Sequence, residues 1–140
     1  MSDRFFLDTN IFVYSFDGSA PEKAARSTEL IRLAVETRAG IVSYQVVQEF
    51  LNLALRRFAE PMSSGEAEQY LATTFRALLV VHSSHGLYGQ ALQWSAKHKL
   101  AWYDALILAS AIEGQCSVLY SEDFQHHQRF GDLRIVNPFL

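Results

Sequence analysis

A single cysteine, Cys116, stands in a chain of 140 residues, so neither an intrachain disulfide nor a cysteine-built zinc site is available. Cys116 sits in an apolar run and reads as a small core residue. Long hydrophobic runs are missing too: none approaches the roughly 18 residues needed to cross a bilayer. Met1, Ser2, Asp3 and Arg4 lead straight into a short apolar run, without the longer apolar segment and small-residue cleavage site of a secretory signal. A cytoplasmic protein with no membrane association is the expectation. Positive charge is scarce as well, with 12 Lys and Arg against 15 Asp and Glu and a net charge of −3. That is not the basic excess that usually advertises nucleic-acid binding. A local basic rim can coexist with a cluster of cleft carboxylates, so charge alone leaves the partner open. Internal repeats and low-complexity tracts are absent.

What remains is an ordinary globular composition, 49% apolar and 19% charged, and a length suited to one domain over 1–140. The chain is organised around Phe5-Phe6-Leu7-Asp8-Thr9-Asn10. Three apolar residues are too few for a helix but suit a buried strand, and Asp8 stands where that strand would end. Ile11 to Phe16 reads as either a helix turn or more strand, with Asp8 or Thr9 as a cap. Ser19-Ala20-Pro21-Glu22 has capping-box spacing and an early proline, predicting a helix over 21–38 that stops at Gly40. Ile41 and Val42 form a second strand, and Ser43 is placed to cap a helix over 44–57. On that helix Val46, Val47, Phe50, Leu51, Leu53 and Ala54 make the apolar side, while Gln45, Gln48, Glu49, Asn52 and Arg56 share the other.

A capping signal at Ser63 and Glu66 starts a helix to about 76, and 78–81 reads as a third buried strand. Helices follow over 87–97 and 103–113, the second stopping at Gly114. Strands over 117–120 and 134–136 complete the chain. The alternation predicts an α/β fold, a parallel sheet of four to five strands flanked by helices in three layers.

Acids recur after strands or in early helical turns: Asp8, Glu49, Asp104 and the Glu122-Asp123 pair. Taken singly, each has a bland reading: Asp104 as a favourable anion at a helix start, Asp123 as a cap, Glu49 on a solvated face. Three or four carboxylates in one cleft would repel one another and raise their own pKa values unless a cation compensates. Oxygen ligands without cysteine or a histidine pair favour Mg²⁺ or Mn²⁺. Metal-assisted phosphodiester hydrolysis fits such a site. Thr9, Asn10 and Ser121 would then orient carboxylates or waters, or else serve as helix caps. His82 and His85 have nothing nearby to complete a metal set and read as structural.

Phe6-Leu7-Asp8-Thr9-Asn10, Gln48-Glu49, Tyr103-Asp104-Ala105-Leu106-Ile107 and Leu119-Tyr120-Ser121-Glu122-Asp123-Phe124 together resemble the four motifs of the PIN domain. Length and the absence of a second domain are similar to the VapC toxins of toxin–antitoxin pairs. The resemblance implies a Mg²⁺- or Mn²⁺-dependent ribonuclease, usually a homodimer, inhibited by a cognate antitoxin that reaches into the acidic cleft. It also implies Asp8, Glu49, Asp104 and Asp123 as the acidic set, with Asp8, Asp104 and Asp123 on the metal. Glu122 is the competing fourth acid; Asp123 is preferred because it falls two residues after Ser121.

An RNA substrate calls for cations around the cleft, and Arg56, Arg57, Lys97, Lys99 and Arg129 are candidates, with His126 and His127 nearby in sequence. Each also reads as ordinary surface charge. Trp102 and Tyr103 could stack on an unpaired base or belong to the core. Two other classes compete. A haloacid-dehalogenase-type phosphatase needs a second aspartate two residues after the first, where this chain has Asn10. A noncatalytic module would use the same carboxylates as an acidic docking surface.

Overall fold

The apolar runs become short strands because each is flanked by helix-starting or turn residues that end it after two to four positions. In chain order they are β1 (Phe5–Leu7), β2 (Gly40–Ser43), β3 (Leu79–Val81), β4 (Val118–Tyr120), β5 (Arg129–Phe130) and β6 (Leu133–Val136). They form one sheet in the order β3-β2-β1-β4-β6-β5, in a computed structural model that describes residues 3–140. Met1 and Ser2, counted above in the lead-in, lie outside the described residues. Every pairing is parallel except β5 with β6. The helices are α1 (Thr9–Tyr14), α2 (Pro21–Thr37), α3 (Tyr44–Arg56), α4 (Ser64–Tyr70), α5 (Arg76–Leu78), α6 (His85–His98) and α7 (Trp102–Glu113). Among the described residues, no helix is long and apolar enough to cross a membrane.

β1 lies at the centre, between β2 and β4, and all three of its residues are buried. Parallel strands point their carboxyl ends the same way, so Asp8, Ser43 and Ser121 emerge along one edge of the sheet. Asp8 is tied to that edge by its own N–H, which donates to Tyr120 O at 3.1 Å. Packing then holds α1 and α3 together: Phe12, Phe50 and Phe75 are fully buried, with ring centroids 4.9 Å apart for Phe12 and Phe75 and 5.4 Å for Phe50 and Phe75. Each such burial contributes about 1.5–3 kcal/mol. Cys116 is buried as expected, and burial pushes its thiol pKa up to about 12.

Several local expectations are revised. Of the two readings for 11–16, helix holds for 11–14 and a turn follows at 15–16, with the Asp8 side chain accepting from Thr9 N–H as the cap. The capping box at Ser19 does not form; Ser19 N and Oγ both donate to Asp17 Oδ1, and α2 starts on Pro21 without a side-chain cap. Ser43 makes no capping bond, and its Oγ is buried without a partner among the described residues. The helix from Ser63 has its capping box but runs past Arg76 to Leu78, through a wide turn over Leu71–Phe75. The third strand is at the sheet edge and only Val81 is buried, whereas Val80 is 42% exposed. α6 begins at His85, because Ser84 Oγ caps it, and runs to His98, so Lys97 and His98 are helical. β5 makes a sixth strand, paired across a two-residue Gly131-Asp132 turn with Gly131 at φ +62. Gly131-Asp132 between Phe130 and Leu133 was the sequence signal for this hairpin.

Gly40 does not stop α2. The helix ends on Arg38 in the left-handed region at φ 58, and Gly40 is already the first residue of β2, opposite Phe5. A Cβ there would lie 2.2 Å from Ala34 Cβ and 2.8 Å from both Ala34 Cα and Phe5 Cε2. Gly40→Ala should therefore destabilise the protein by roughly 1–3 kcal/mol through overpacking, read as a lower urea midpoint with an unchanged slope. An unchanged midpoint would contradict the close approach of α2 and the Phe5 ring to β2 at Gly40.

A carboxylate cleft at the carboxyl edge of the sheet

Four elements deliver the acids to one cleft of about 100 Å³, lined by Asp8, Thr9, Asn10, Gln45, Glu49, Leu53, Tyr103, Asp104, Ile107 and Asp123. Asp8 comes from the end of β1 and Glu49 from the second turn of α3, which starts directly after β2. Asp104 belongs to the first turn of α7, and Asp123 to the loop after β4. The structure thus brings Asp8, Glu49, Asp104 and Asp123 together. Glu122 is not among the lining residues; its carboxylate faces Tyr14 and Lys23 instead.

Asp8 is 5% exposed and held on both oxygens. Thr9 N–H donates to Oδ1 and Ser121 Oγ to Oδ2, each at 2.7 Å. Ser121 Oγ also accepts from Asp123 N–H at 3.1 Å, so one hydroxyl orients both acids. Thr9 Oγ1 donates to Glu49 Oε1 at 3.1 Å, and Asn10 Nδ2 stands 3.5 Å from Asp123 Oδ2. Thr9, Asn10 and Ser121 accordingly hold carboxylates, and the helix cap is Asp8 itself. Gln45 completes the frame: its Nε2 donates to Glu49 Oε1 and to Tyr103 O, both at 3.2 Å, tying α3 to α7. Sequence reasoning placed Gln45 on a polar helix face, yet it is 4% exposed. Its spacing of four residues before Glu49 was the available signal.

Burial dominates the electrostatics. It raises the Asp8 pKa to about 7 against the lowering effect of the Ser121 and Thr9 hydrogen bonds, and the nearby Asp123 and Glu49 charges raise it further. Burial also raises the Asp104 pKa; it raises that of Asp123, with the charges of Asp104 and Glu122 adding to the effect. Burial is thus the leading cause at all three acids, with neighbouring carboxylates adding to it at Asp8 and Asp123. Gln45 Oε1 adds a buried acceptor with no partner among the described residues. An all-oxygen donor set of this kind fits a hydrated Mg²⁺ or Mn²⁺. The acids line the cleft rather than meeting at one point: among the described residues, no three His, Cys, Asp or Glu side chains already form a metal-holding group.

Of the candidate cations, Arg56 and Arg57 end α3, Lys97 and Lys99 end α6, and Arg129 lies on β5. All five are exposed and none lines the cleft. His126 Nδ1 accepts from Asn137 N–H at 2.9 Å. Trp102 and Tyr103 are not core residues; they are 37% and 64% exposed, and Tyr103 borders the cleft. His82 and His85 are exposed and outside it.

A family model described as PIN domain matches residues 5–131. Among solved structures, a toxin–antitoxin complex from Klebsiella pneumoniae is similar at 18% identity, covering 95% of this chain and 96% of that chain, with a TM-score of 0.67. Mycobacterium tuberculosis VapC20, described as a sarcin-ricin loop cleaving toxin, is similar at 18% identity over 93% and 98%, with a TM-score of 0.65. FitAcB from Neisseria gonorrhoeae is similar at 17% identity over 96% and 98%, with a TM-score of 0.66. At these identities the likeness to solved structures is one of fold. Comparison with curated protein sequences returns no match.

The Asp8 pKa carries a stability consequence with a definite sign. Its folded value of about 7 lies above the ordinary value of 3.8, so the folded state holds a proton that the unfolded state has lost between those pH values. Metal-free protein should lose stability as pH rises from 4 to 7 and level off above 7. Asp8→Asn should flatten that slope, so that the chelator-treated variant gains roughly 1–4 kcal/mol on the wild type between pH 4 and pH 8. Urea unfolding across this range checks it; parallel profiles for the two proteins would show that Asp8 ionises freely.

Proposed function

The chain belongs to the PIN-domain family, and from that premise we propose that it is a divalent-metal-dependent endoribonuclease, the toxin of a toxin–antitoxin pair. The observation that carries this reading is the convergence of Asp8, Glu49, Asp104 and Asp123 from four separate elements on one cleft. In this reading Asp8, Asp104 and Asp123 hold Mg²⁺ or Mn²⁺. The bound ion supplies positive charge that offsets the carboxylates and the substrate phosphate and favours ionisation of water. Thr9 N–H and Ser121 Oγ orient the Asp8 carboxylate, and Ser121 also holds Asp123 through its backbone N–H. Glu49, held at Oε1 by Thr9 and Gln45, would accept the proton released as water attacks phosphorus, while the P–O bond to one ribose oxygen breaks and that oxygen leaves, taking a proton from solvent.

RNA is the substrate class, with Tyr103 at the cleft mouth as a stacking face and Arg56, Arg57, Lys97, Lys99 and Arg129 as outlying phosphate contacts. The antitoxin reading draws support from the fold shared with the Klebsiella toxin–antitoxin complex, and an acidic cleft suits a partner segment carrying a cation. Asp123 rather than Glu122 is assigned as the fourth acid, since it borders the cleft.

Asp8→Asn should lower RNA cleavage by at least about 100-fold, more than the loss typical of a residue that only supports a ligand, with circular dichroism unchanged. Mapping RNA ends after expression of wild type and variant measures it, and cleavage at the wild-type rate would sink the metal reading. The free toxin is also expected to be a homodimer, with light scattering giving twice the single-chain mass; a single-chain mass would refute that.

A further inference from the structure

The loop after β4 presents two consecutive acids, and the nuclease reading needs one of them in the cleft. Nothing in the covalent chain chooses, since Glu122 and Asp123 sit in a segment without regular structure, one step apart. Ser121 Oγ accepts from Asp123 N–H and helps to seat that acid, while the contacts that turn Glu122 away come from α1 and α2. Asn10 and Tyr14 are four residues apart and share a face of that helix. Asn10 Nδ2 approaches Asp123 Oδ2, while Tyr14 Oη donates to Glu122 Oε1. From α2, Lys23 Nζ donates to Glu122 Oε2 and to Tyr14 Oη, both at 3.3 Å. Both Glu122 oxygens are thus engaged away from the cleft. Lys23 is itself seated over the Tyr14 ring, 4.5 Å from its centroid, and 5.3 Å from that of Phe139, which meets Tyr14 edge-on at 5.2 Å.

We infer that Tyr14 and Lys23 are a positioning clamp that sorts the two acids: they hold Glu122 outside the cleft with its charge balanced, so that Asp123 alone is offered to a cation. The inference rests on the nuclease reading for what the cleft binds, and on the hydrogen bonds for the sorting itself. Lys23 is 40% exposed on its side chain, so its ion pair with Glu122 is weak in isolation. Its effect comes through a network joining α1, α2 and the loop. Without it, two adjacent negative carboxylates would compete for one cation, and the loop would sample both arrangements.

Two variants keep the packing while removing the polar contacts. Tyr14→Phe retains the ring against Phe139, and Lys23→Met retains the alkyl stem; Lys23→Arg serves as the conservative control. In the double variant Tyr14→Phe/Lys23→Met, amide exchange over residues 121–125 should accelerate, and MnCl2 affinity by calorimetry should weaken roughly tenfold, the low end for partners that orient a metal ligand. Lys23→Arg should behave as wild type. The sorting has a sharper test in the Asp123→Ala background, which removes the favoured acid. Adding Tyr14→Phe and Lys23→Met there should recover Mn²⁺ affinity, because the released Glu122 can take the vacated place. Unchanged loop exchange in the double variant, or no recovery in the triple, overturns the clamp. Wild-type protein that neither binds Mn²⁺ nor cleaves RNA overturns the nuclease reading instead, and loop exchange then decides the clamp alone.

Discussion

The Asp8 carboxylate, buried at the end of the central strand and gripped by Thr9 N–H and Ser121 Oγ, is the interaction on which the cleft depends. A carboxylate in that position is costly to ionise, as its raised pKa records. It is tolerated because the two donors satisfy it and because it caps α1, whose N-terminal N–H needs an acceptor. One side chain therefore ends the strand, starts the helix and supplies the most deeply buried acid of the site.

The rest of the cleft follows from the parallel sheet. Strands that run the same way bring their carboxyl ends to one edge, where α/β proteins bind ligands. α3 leaves that edge directly from β2 and carries Glu49 back over Thr9. α7, following α6 rather than a strand, packs its buried face on α6 and β2, and Gln45 bonds its first turn at Tyr103 O. The aromatic contacts of Phe12, Phe50 and Phe75 fix α1 against α3, and so set the distance between Thr9 and Glu49.

A cleft assembled from like charges is preorganised for a cation and strained without one. Neighbouring carboxylates add to the effect of burial on the raised pKa values of Asp8 and Asp123, and Gln45 Oε1 is a buried acceptor without a partner among the described residues. The acids border a common volume without being drawn onto a single point. Hydrogen bonds from Thr9, Ser121 and Gln45 hold Asp8 and Glu49 in place along that volume.

Much of this was legible in the residues. The strand-helix alternation, the parallel sheet and the four acidic positions follow from local pattern, because strand ends and helix starts are encoded by short apolar runs and their flanking polar residues. What pattern could not resolve were choices between neighbours that differ only in their surroundings. Ser19 had the spacing of a capping box, yet it bonds to Asp17; Gly40 looked like a helix stop, yet it is needed where Ala34 of α2 and Phe5 both press on β2. Gln45 looked solvated until α7 covered it. The same holds for Glu122 and Asp123. The sequence by itself determined that acids would stand at the end of β1, on α3, at the start of α7 and after β4. Only the tertiary structure decided which of the last two faces the cleft, because that depends on Tyr14 and Lys23, whose reach across to the β4 loop exists only once α1 and α2 have packed beside it.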